Sequence, residues 1–131
     1  MPSNTGLNEL IIALQDAAAA ITNNPTLDPL SPEGQKLQKT ARDITDCAVT
    51  IGGFALDALQ PELRTAIENL KNNIDAASDT LAEIDNVHKA LSIAAAILAV
   101  AASVASKDPV GSVQALESLV ASLQNITDAN A

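Results

Sequence analysis

The chain has 131 residues, enough for one domain (1–131) that removes roughly two-thirds of its extended surface from water, and 47% of them are hydrophobic although Phe54 is the only aromatic. Sixteen acids against seven Lys and Arg give a formal net charge of -9, which repels phosphate backbones, and with no aromatic platform for base stacking this argues against nucleic acid as a partner. One Cys, one His, no Tyr and no Gly-rich phosphate loop among five glycines leave too little for acid–base or nucleophilic catalysis, so the chain reads as no enzyme, with no cofactor and no metal site.

Twenty-five Ala and scattered rather than clustered β-branched residues predict an all-α fold, a bundle of four to five helices whose core is Ala, Leu, Ile and Val. The first basic residue is Lys36, so the basic start of a cleaved secretory signal is missing and the expected location is cytoplasmic, or exported without a cleaved signal. In that setting the Asn125-Ile126-Thr127 sequon carries no weight.

The apolar periodicity predicts a first helix over 7–22. A Pro-rich connector follows at 23–32, with Pro25, Pro29 and Pro32, and Ser31 is placed to cap a helix that has Pro32 at its first position. That second helix is predicted over 33–59. It carries oppositely charged pairs four residues apart, Lys39 with Asp43 and Arg42 with Asp46, and Arg64 with Glu68 repeats the spacing in the next segment. Gly52 and Gly53 interrupt the second helix at a cost of about 1 kcal/mol each relative to Ala, so they predict either a close backbone approach or a hinge with Phe54 beside it. Cys47, one turn earlier, reads as a small apolar residue; exposed, it could form an intermolecular disulfide.

From Pro61 onward a four-three apolar seam runs Leu63, Ile67, Leu70, Ile74, Ala77, Leu81, Ile84, His88 and Leu91, and its continuation falls on Ala95, Leu98, Ala102 and Ala105. Two readings follow. Helices 61–87 and 88–106 separated near Asn86 make a compact bundle; one continuous helix over 61–106 is a rod roughly 69 Å long. His88 breaks the seam and is a candidate pH switch if buried. Asp75, Asp79 and Glu83 line one face with no base placed among them, as on a solvated surface. A last helix is predicted over 110–128, with Asp108 as its cap before Pro109.

Residues 90–106 contain eight Ala, three Ser and six larger aliphatics: Leu91, Ile93, Ile97, Leu98, Val100 and Val104. Seventeen residues of helix reach roughly 25 Å, short of a hydrocarbon core near 30 Å. The expected role of these six side chains is therefore the core of the bundle or an association surface for a protein partner or a second copy. The alternative is a membrane-active protein that inserts 90–106 after a trigger such as acidification. That arrangement is similar in architecture to α-helical pore-forming proteins, which hold an Ala-rich helix inside a soluble bundle.

Overall fold

The computed structural model describes residues 5–24, 30–53, 59, 61–84 and 87–129. Pro25 and Pro29 of the connector, Phe54, Asp85 and Asn86 lie outside them. Five helices pack on one another: α1 (Thr5–Asn23), α2 (Pro32–Gly52), α3 (Pro61–Glu83), α4 (Val87–Ala105) and α5 (Pro109–Ala129), and no strand occurs among the described residues.

Three of the five helices begin at a Pro. At the start of α2, Ser31 has extended backbone (φ -72°, ψ 156°) and its Oγ accepts the Gly34 N–H at 2.9 Å, while Glu33 sits in the first turn where the helix dipole favours an anion. The start of α5 repeats the device. Asp108 Oδ1 accepts the Gly111 N–H at 3.0 Å, and its carbonyl accepts both the Ser112 N–H at 3.0 Å and the Ser112 hydroxyl at 2.7 Å.

Between α4 and α5 the chain turns within three residues. Asp108 N–H donates to Ser103 O and Lys107 N–H to Val104 O, both at 2.9 Å, with Lys107 left-handed at φ 58°. This is a Schellman closure that places Lys where Gly is usual.

The end of α2 corrects the sequence expectation. The helix stops at Gly52 rather than at 59, and Gly53 closes it with an N–H bond to Thr50 O at 3.1 Å in right-handed backbone. The glycine pair ends a helix instead of bending one. A Cβ at Gly52 would meet Ile11 Cδ1 at 3.8 Å, an ordinary contact, so no close backbone approach calls for glycine there.

The rod is also overturned. α3 ends at Glu83 and α4 starts at Val87. Asn24, directly after α1, donates from Nδ2 to Leu81 O at 2.7 Å and Ile84 O at 2.9 Å, occupying carbonyls that a continuing helix would need. Because Asn24 follows the end of α1 and touches the end of α3, those two helices run parallel.

α2 runs antiparallel to α1, since Gly52 at its end faces Ile11 in the first half of α1. The chain therefore alternates direction. Around the bundle the principal neighbours follow the order α1, α2, α4, α5, α3 and back to α1.

The core is a single cluster from all five helices. Leu7, Leu10, Leu14 and Ile21 of α1, Leu37, Ile44 and Ile51 of α2, and Leu63, Leu70, Ile74 and Leu81 of α3 are fully buried. Each such side chain contributes roughly 1.5–3 kcal/mol relative to leaving it exposed. Buried alanines, among them Ala17, Ala48, Ala77, Ala94 and Ala101, lie between them. Small side chains at the contacts shorten the distance between helix axes.

Candidate functional site

The six aliphatic residues of 90–106 divide into two sets. Ile93, Ile97, Val100 and Val104 have no exposure at all, whereas Leu91 and Leu98 are half-buried against the same core. The first four belong to the interior of the folded chain, which removes them from any surface offered in this packing. α4 buries Ala90, Ile93, Ala94, Ala96, Ile97, Val100, Ala101 and Val104.

This is not the face that the seam predicted. Ala95 and Ala102 are exposed, and so is His88. The break after Ile84 resets the helical phase, so the seam is buried through α3 and the stripe on α4 is a new one. His88 is exposed on the outer face of α4, so the burial that a switch at this position requires is not present.

By length and composition α4 is also able to cross a membrane. Core helices of water-soluble bundles share that property. Its outward stripe of Ser92, Ala95, Ala99 and Ala102 carries no charge.

Cys47 is half-buried on α2. Partial burial, and then the neighbouring Asp43 and Asp46 carboxylates, push its thiol above the ordinary range. It is protonated at neutral pH and a poor nucleophile.

Of the expected ion pairs, Lys39–Asp43 forms at 3.2 Å. At the start of the acidic ridge Asp75 pairs with Lys71, four residues before it, at 3.1 Å. The hydrogen bond that Lys71 donates to Asp75, and then the charge of that carboxylate, hold the ammonium above the ordinary lysine range. Asp79 and Glu83 remain exposed on the ridge.

Two grooves stand out, and neither includes His88 or Cys47. The first, of about 660 Å³, opens between the starts of α3 and α5 and is lined by Glu62, Pro109, Val110, Val113, Gln114 and Glu117. Val110 is 65% and Val113 43% exposed, so two of the few exposed large aliphatic side chains share one depression. Their shared lining with Glu62 also places the start of α5 beside the start of α3.

The second groove, of about 290 Å³, lies where α1 and α3 end, with Asp16 and Asn23 on one wall, Ser78 and Asp79 on the other, and Asn24 at its base. No basic residue lines it, and neither helix has a base in its last turn.

Sequence reading alone reached neither groove. The available signals were Val110 and Val113, apolar positions of the last helix spaced like core residues, and Asn24, in the predicted connector two residues beyond the first helix. Among the described residues no three His, Cys, Asp or Glu side chains gather where they could hold a metal ion. Compared with protein-family models, with curated proteins and with solved structures, the chain matches none of them.

Proposed function

We propose that this protein is a non-enzymatic helical interaction module that binds a protein partner at the apolar groove between the starts of α3 and α5. The observation that carries the reading is the exposure of Val110 and Val113 in one depression bordered by Glu62 and Glu117. Left in water, these valines contribute little to the fold; covered by a partner they would give back about 25 cal/mol per Å² of apolar surface.

The two rim carboxylates and the net charge of -9 favour a partner that presents Lys or Arg around an apolar anchor. They disfavour a second acidic copy. Titration of the labelled protein with an amphipathic Leu–Lys helical peptide tests this: saturable amide shifts over 109–117 and at Glu62 are expected, and Val113→Asp removes them. Uniform shifts, or shifts unchanged in that variant, reject the reading. Light scattering reports whether copies associate instead.

A second reading, membrane activity, is motivated by the length and apolarity of α4 and its charge-free outer stripe. Acidification would neutralise carboxylates and weaken the repulsion from anionic lipid. Dye release from liposomes over a pH series decides it, and no leakage between neutral and mildly acidic pH ends it.

A further inference from the structure

The groove at the shared end of α1 and α3 has a different chemistry. Both helices run toward it, so it receives the negative ends of two helix dipoles. Asp16 and Asp79 add two carboxylates, and no base lines it. An accumulation of negative potential without an internal counterion is unfavourable until a cation supplies one.

Ser78 independently marks the spot as one that takes a ligand. It is only 9% exposed, and its Oγ makes no hydrogen bond among the described residues. Thr80, two residues on, donates to Ala76 O at 3.1 Å, and Thr40, Thr45 and Thr50 of α2 turn back on their own helix in the same way. Among the described residues no fully enclosed polar side-chain atom is unpaired, so the Ser78 hydroxyl opens to the groove that it lines.

A hard divalent ion is a poor fit, because calcium takes six to eight oxygens and magnesium a near-ideal octahedron, and the described carboxylates do not gather for one. An ammonium is a better fit. It has three donors and no acceptor, and Asp16, Asp79 and the Ser78 hydroxyl offer it three acceptors. Ala19, Ala20 and Ala82 complete the wall with methyl groups, a surface on which an alkyl stem can lie.

We infer that the α1–α3 end groove binds a primary alkylammonium group, its nitrogen held by Asp16, Asp79 and the Ser78 hydroxyl. The same chemistry is presented by a free aliphatic diamine and by a lysine side chain of another protein.

Titration of the full chain, followed by amide shifts, tests the proposal with 1,4-diaminobutane, Nα-acetyl-lysine amide, tetramethylammonium and calcium as separate probes. Both primary amines are expected to shift residues 16–24 and 78–84 saturably, with tetramethylammonium, which has no N–H donor, much weaker. Binding of the diamine alone assigns the site to free amines; binding of the lysine amide alone assigns it to a protein lysine.

Asp79→Asn is expected to weaken binding tenfold or more and Ser78→Ala roughly threefold, with unchanged helical circular dichroism. Glu68→Gln removes the same charge about three turns earlier on α3 and leaves binding intact. Equal weakening by Asp79→Asn and Glu68→Gln, tighter binding of calcium than of either amine, or silence of both amines overturns the inference.

Discussion

α4 and α5 are joined by a three-residue turn, yet they are used in opposite ways. α4 buries eight side chains along its length, four of them Ile or Val without any exposure. Among the described side chains of α5 only Ser112 and Leu119 are buried; Ala115, Leu116 and Leu123 are half-covered, and Val110 and Val113 face outward. α4 is the more apolar of the two, and position adds to the difference. α4 sits between α2 and α5 with lesser contacts to α3 and α1, whereas the principal neighbours of α5 are α4 and α3 alone. The outer helix is therefore the part of the bundle that can change its contacts at least cost.

The largest expected effect is in the interior. Ile97→Ala should cost about 2–5 kcal/mol in urea unfolding, while Leu119→Ala should fall at the bottom of that range because an outer helix can settle into the space it leaves. A larger loss for Leu119→Ala breaks the comparison. Next comes Asn24→Ala, which strips the bonds to Leu81 O and Ile84 O and should cost about 1–3 kcal/mol by equilibrium unfolding.

Asp108→Ala removes the cap of α5 and should cost about 0.5–2 kcal/mol. Hydrogen exchange sharpens that test: amides of α5 should lose protection while those of α4 keep theirs. The smallest effect is a gain. Lys107→Gly relieves a left-handed residue and should raise stability by about 1 kcal/mol in the same assay.

The helix starts were legible because a cap followed by Pro is a local signal: Ser31-Pro32 and Asp108-Pro109 open α2 and α5 as read. Glycine as the N–H donor to each cap was not anticipated. The end of α2 was misplaced because a Gly pair was weighed as an interruption of a longer apolar pattern, when it is also sufficient to finish one. The break after α3 left two readings open because its cause is not local. Asn24 reaches residues 57 and 60 positions away, and the unbroken seam through His88 pointed the other way. The burial of the α4 aliphatics was readable as core, but the phase of the buried stripe was not, because phase is reset at a break whose angle no periodicity records. Of the candidate site, the valines and the acids were visible only as composition, since a groove exists when α3 and α5 are placed side by side.

Asn24 has one more consequence. A helix is commonly stopped by its own sequence, yet α3 is stopped by a side chain that belongs to the end of α1, so the length of one helix is recorded in another. A chain that begins after position 24 would carry every residue of α3 and α4 without the two bonds that occupy the last carbonyls of α3.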